Sequence, residues 1–151
     1  MAPAKGDKMK RFYVIFINLL RLIWQLPQLM LGILFGILCF CIPPHNDKYS
    51  KQSDYGGNIM LLKGRSSILT PHVVCITSNR CKSGISFGPI IYLNSYLYHS
   101  DPYIVVHKYG HSIQSLYLGW FYPIIVGIPA LFNKSNLSFP ENWANRLGKF
   151  L

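Results

Sequence analysis

His107, Lys108, Tyr109, Gly110 and His111 read H-K-Y-G-H, and this short stretch is where the chain could do chemistry. On a helix, residues four apart lie one turn above each other on the same face, so both imidazoles can reach one tetrahedral zinc ion. In a hydrolytic site built on such a pair, the residue after the first histidine is a glutamate, H-E-x-x-H, which takes a proton from metal-bound water. Lys108 stands at that general-base position, and an ammonium has no lone pair to accept a proton. The pattern keeps its metal geometry and loses its base.

A two-histidine pair needs a third ligand, and the last part of the chain offers one. Glu141 and Asn145 lie four apart in E-N-W-A-N, on a short stretch that proline opens and Gly148 closes, as a helix would. His107, His111 and Glu141 would supply three zinc ligands and leave a fourth position for water. Asn145, one turn on, is placed to hold the outer nitrogen of a ligating imidazole, a job in which a carboxylate would raise ligand basicity further. The expectation is zinc binding without hydrolysis. Two alternatives stand beside it: an active zinc metallopeptidase whose base comes from elsewhere, and a structural membrane protein whose histidines bind nothing. The remaining histidines, His45, His72 and His99, are isolated, and Asp101 fits a helix N-cap. Ser112, His111 and Asp101 could be combined on paper into a hydrolytic triad, but no nucleophile elbow surrounds the serine.

Composition points to a lipid environment. Half of the 151 residues are hydrophobic and only 13% are charged, which is unusually apolar for a soluble domain. The formal charge of +10 comes from basic residues scattered singly and in pairs, so no continuous stripe for nucleic acid exists, and a lipid bilayer with anionic headgroups is the expected partner. Cys39 and Cys41 sit within an apolar run. Cys75 and Cys81 flank an expected turn, where a bridge would close a short hairpin in an oxidising compartment.

These observations divide the chain into a basic cytoplasmic start (1–11), a membrane segment (12–43), a small β-rich extramembrane region (44–100) and a motif region (101–151). The uncharged run 22–42 is long enough to cross a hydrocarbon core of about 30 Å. Gln25, Pro27 and Gln28 fall in its first third, so a kink or a helical hairpin near 24–28 is expected, and Gly32 and Gly36 form a G-x-x-x-G that could admit another helix. A cleaved signal peptide is disfavoured because the run is long and Pro43 and Pro44 follow it; a retained anchor is expected. Residues 60–62, 72–77 and 90–93 read as strands of a three- or four-stranded antiparallel sheet. A helix is predicted over 102–118, then a second short apolar membrane segment over 116–132 with an aromatic cluster at Trp120, Phe121 and Tyr122, then a C-terminal helix over 140–147. The expected fold class is an α+β membrane protein: an N-terminal membrane helix or hairpin, a small antiparallel β insert, the motif helix, a second membrane segment and a short last helix.

Several blocks carry a family likeness. W-Q-L-P-Q at 24–28, G-I-S-F-G at 84–88, the block 107–129 beginning H-K-Y-G-H, and P-E-N-W-A-N-R-L-G at 140–148 together resemble small bacterial membrane proteins similar to minimal zinc metallopeptidases. Members of that group read H-E-Y-G-H and W-A-D-x-L-G-G, with a longer tyrosine-rich connection. This chain departs at Lys108, at Asn145 and in the shorter stretch 132–139. The resemblance implies a peptidase-like fold held at a bacterial inner membrane, and the departures imply a pseudoenzyme. The succession of H-x-x-x-H and a later glutamate is similar to the gluzincin arrangement.

Overall fold

The computed structural model describes residues 5–41, 57–64, 72–81, 83–129 and 139–151. In chain order, α1 (Lys5–Trp24) and α2 (Leu26–Cys41) are followed by β1 (Ile59–Lys63), β2 (His72–Thr77), β3 (Ile85–Phe87) and β4 (Ile90–Leu93). Then come α3 (Ser95–Ser100), the motif helix α4 (Pro102–Leu118), a 3-10 turn (Gly119–Phe121), a π turn (Pro123–Gly127) and α5 (Phe139–Gly148).

The expected membrane-spanning architecture is corrected. No single helix among the described residues is long and apolar enough to cross a membrane, because the first apolar run breaks at Gln25 and its halves, Phe12–Trp24 and Leu26–Cys39, are bent by 74°. The physical reason lies in its polar residues. Gln25 is 2% and Gln28 1% exposed, and both point into protein. Gln25 Nε2 donates to Ser115 Oγ at 2.8 Å, Gln28 Nε2 donates to the Gly119 carbonyl, and Trp24 Nε1 donates to the Leu116 carbonyl at 3.0 Å. Trp24 thus takes up a carbonyl of the last turn of α4, Gln28 adds a second donor to the Gly119 carbonyl, which also accepts from the Tyr122 amide, and Gln25 holds the Ser115 hydroxyl; the bend brings all three there. Pro27 falls in the first turn of α2, where its missing N–H costs nothing. The second apolar run fails for a local reason: α4 ends at Gly119, whose φ of 51° departs from the helix, and two irregular turns follow. Residues 130–132 of that run, and 43–56 of the preceding connection, lie outside the described residues.

The sheet also differs from expectation. Its order is β1-β2-β4-β3, with β1–β2 and β3–β4 antiparallel but β2–β4 parallel, so it is mixed. A short hairpin through Gly88 (φ 59°) joins β3 to β4, and β4 lies between β2 and β3, which aligns it with β2. Nor is the sheet an insert. Val73 and Cys75 of β2 and Ile91 and Leu93 of β4 alternate onto one face and pack with Val105, Tyr109 and Ile113 of α4 into one buried cluster. The other face meets α2: Tyr92 donates its hydroxyl to the Gly32 carbonyl at 2.9 Å, and Phe35 lies 5.2 Å from the Tyr92 ring centre and 5.3 Å from that of Phe87. Gly32 and Gly36 therefore admit the sheet rather than another helix; a Cβ on Gly36 would stand 2.4 Å from the Tyr92 oxygen.

All four cysteines are free. Cys75 is sealed in the core cluster, while Cys81 meets Cys39 of α2, and burial pushes both the Cys75 and the Cys81 thiol up to about 11.

Candidate metal centre

The motif helix is anchored at its start by Asp101, whose carboxylate accepts from the Tyr103 amide at 3.0 Å, with Pro102 in the first turn. Val105, Tyr109 and Ile113, four apart, turn to the sheet. His107 and His111 lie on a neighbouring face, toward α5. What lets α5 come close is glycine: a Cβ on Gly110 would lie 1.9 Å from the Ala144 carbonyl oxygen, and one on Gly148 would lie 2.2 Å from that of Val106. The helices touch backbone to backbone at two points. Glu141 and Asn145 are thereby carried to the histidines.

Glu141 Oε2 lies 3.1 Å from His107 Nε2 and 3.3 Å from His111 Nε2, and the two imidazole nitrogens are 3.2 Å apart. Together His107, His111 and Glu141 form a group that could hold a metal ion, its ligand atoms all within 4.8 Å of one another. The outer nitrogens are held as well. His107 Nδ1 donates to Asn145 Oδ1 at 2.6 Å and His111 Nδ1 donates to Gln114 Oε1 at 2.7 Å. Gln114 cannot present its other end, because its Nε2 donates to the Pro140 carbonyl at 2.6 Å and a carbonyl only accepts. The proton of a neutral His111 is thus on Nδ1, and its Nε2 lone pair faces the centre. With His107 in the same tautomer, two nitrogen lone pairs and a carboxylate oxygen converge on one point, a repulsive arrangement unless a cation or proton sits among them.

The charges around the point follow from burial. Burial chiefly lowers the basicity of His107, with the Asn145 hydrogen bond acting against it, so its neutral form is favoured. Glu141 is held below the usual carboxylate range, first by the hydrogen bond that the doubly protonated form of His111 donates to it through Nε2, then by the charges of protonated His111 and His107 and of Lys108, against its own desolvation. Lys108 is pushed down by burial, and Glu141 pulls it back up.

Comparison with protein-family models, with curated proteins and with solved structures finds no match to this chain. Function must be argued from the site.

The structure brings His107, His111, Glu141 and Asn145 together. It leaves His72, on β2, and His99, in α3, outside this group, and Asp101 caps α4. His45 lies outside the described residues. Reading the residues alone missed Gln114 and the two contact glycines. Gln114 carried a usable signal, since it follows His111 by three positions, within reach on a helix. Gly110 and Gly148 carried none that distinguishes a helix contact from an ordinary helix end.

Beside the His107, His111 and Glu141 group opens a cavity of about 440 Å³, lined on its polar side by Lys108, His111, Glu141, Ser86 and Gln28. Lys108 thus occupies the place where the catalytic pattern would set a proton acceptor.

Proposed function

We propose that this chain is a zinc-binding, peptidase-like protein of a lipid surface that does not hydrolyse peptides. The observation that carries the metal reading is the convergence of His107 Nε2, His111 Nε2 and Glu141 Oε2, with the outer nitrogens of both rings committed to amide oxygens. Two imidazoles and one carboxylate are the ligand set of hydrolytic zinc sites with an open fourth position. Lys108 argues against turnover, because no proton acceptor replaces the missing glutamate at that position.

Zinc stoichiometry and affinity, measured by dialysis and metal analysis, test this directly. The wild-type chain is expected to take up one equivalent, and His107→Ala or Glu141→Gln to lose most of it. Asn145→Leu and Gln114→Leu should each weaken binding by about 10- to 100-fold, since they release the rings without removing a ligand. Uptake below roughly a tenth of an equivalent by wild-type protein in zinc-supplemented buffer would remove the metal reading altogether.

The lipid part of the proposal rests on exposed apolar surface. Along α1 and α2, residues including Phe12, Ile15, Ile23, Met30, Leu34 and Ile37 are each at least 45% exposed, and Trp120, Phe121 and Ile124 add to this surface. So many large exposed apolar side chains are costly in water and mark an interaction surface. The excess of basic residues suits anionic headgroups. Flotation with vesicles is the check: the protein should rise with anionic vesicles and stay bound at high salt, since apolar burial outlasts screening. Recovery entirely in the soluble fraction would refute the lipid assignment.

A further inference from the structure

The cavity beside the ligand group has an unusual division of surfaces. Its wall is apolar, with Leu31, Phe87 and Val126, while Lys108 supplies a cation at the end that holds His111 and Glu141. Leu31 and Ile128 are 46% and 50% exposed, so these wall residues reach the protein surface. Leu31 continues at helical spacing into Leu34 and Leu38 on the exposed face of α2. A second, independent feature is an orphaned acceptor. Gln28 is 1% exposed and lines the cavity; its Nε2 is committed to the Gly119 carbonyl, and its Oε1 has no hydrogen-bond partner among the described residues. A buried acceptor without a donor is unfavourable, and a ligand N–H or O–H would satisfy it.

We propose that this cavity binds an amphiphilic carboxylate carrying a hydrogen-bond donor near its head, of the N-acyl amino acid type, with the carboxylate on Lys108 and the acyl chain along Leu31, Phe87 and Val126. Charge accounting supports an anion. In the hydrolytic pattern, two glutamates offset a divalent metal and the site is neutral. Here Lys108 and Glu141 offset each other, so a bound dication leaves a surplus of two positive charges next to an apolar chamber. The chamber's volume falls within the range of small-molecule pockets. The head would meet a cation in a place of low dielectric, where a charge-assisted hydrogen bond is strong. The inference rests on the metal reading only for the size of the effect, because Lys108 is present with or without an ion.

Calorimetric titration with N-dodecanoylglycine, below its micelle concentration, tests it on both zinc-loaded and metal-free protein. Dodecanol and dodecyltrimethylammonium serve as probes of equal chain length. One saturable site is expected, binding the acylglycine at least about tenfold more tightly than either probe, and more tightly still with zinc present. Lys108→Met keeps the side chain's bulk and should abolish that preference while leaving dodecanol binding unchanged. Gln28→Met should reduce the preference for the acylglycine over dodecanoate. Equal binding of acylglycine and dodecanol to wild-type protein, or an undiminished preference in Lys108→Met, would overturn the proposal. Zinc uptake is measured in the same samples, so the two readings fail separately: discrimination without zinc uptake sinks the metal site alone, and one equivalent of zinc without discrimination sinks the amphiphile alone.

Discussion

Gly110→Ala should cost the protein about 2 kcal/mol of stability and most of its metal affinity, although alanine is the better helix former by about 1 kcal/mol. The new methyl carbon would stand 1.9 Å from the Ala144 carbonyl oxygen and 2.6 Å from its carbon, and these are backbone atoms that cannot rotate away. The helix α5 must retreat by about 1.5 Å to reach ordinary contact, and Glu141 lies three residues before the point of collision. Its carboxylate is placed 3.1 and 3.3 Å from the two ring nitrogens, and a displacement of that size exceeds the few tenths of an ångström that metal ligation tolerates. Urea denaturation and zinc titration would measure both effects. Gly127→Ala is the control, because the nearest atom to its new methyl is 4.0 Å away, and it should change stability by less than about 0.5 kcal/mol. If Gly110→Ala instead matched wild type in both assays, the close helix contact that delivers the third ligand would be disproved.

Lys108→Glu should act in the opposite direction on the metal. It replaces a cation beside the ligand group by an anion, and at an effective dielectric of about 20 a unit charge roughly 8 Å from a dication contributes about 4 kcal/mol. That figure is an upper bound, because solvent and side-chain relaxation screen part of it; burial lowers the basicity of Lys108 and the Glu141 carboxylate raises it again. A gain in zinc affinity of at least about tenfold is therefore the cautious expectation. The same change restores a proton acceptor at the general-base position, so weak hydrolysis of an unstructured peptide should appear. Adding Asn145→Asp should raise it again, since a carboxylate on His107 Nδ1 orients the ring more firmly than the amide that now accepts at 2.6 Å. Identical zinc affinity in wild type and both variants would show that Lys108 does not face a metal.

The ligand types were legible without coordinates because their logic is local. Four residues make about one helical turn, so His107 with His111, and Glu141 with Asn145, had to share faces wherever their helices went. The bounds of α4 were equally open to reading, since Asp101-Pro102 is a start signal and Gly119 a stop. The strand at 72–77 announced itself as a short β-branched run bounded by turn residues. Other features were not local. An uncharged run reads the same whether lipid or protein will cover it; what turned the run at Gln25 was Ser115, 90 positions away, and Gly119 beyond it. A parallel pairing between β2 and β4 likewise has no signature in either strand.

The residues alone therefore carried the candidate donor set, the lysine beside it and the apolar character of the chain, all properties of side-chain chemistry and helical period. Tertiary structure decided whether those donors meet, how the first apolar run bends, and which glycines are contacts rather than punctuation. Each of those outcomes depends on which distant segments come into contact, and contact between segments far apart in the chain is set by the packing of the whole core, not by the order of residues within any one element.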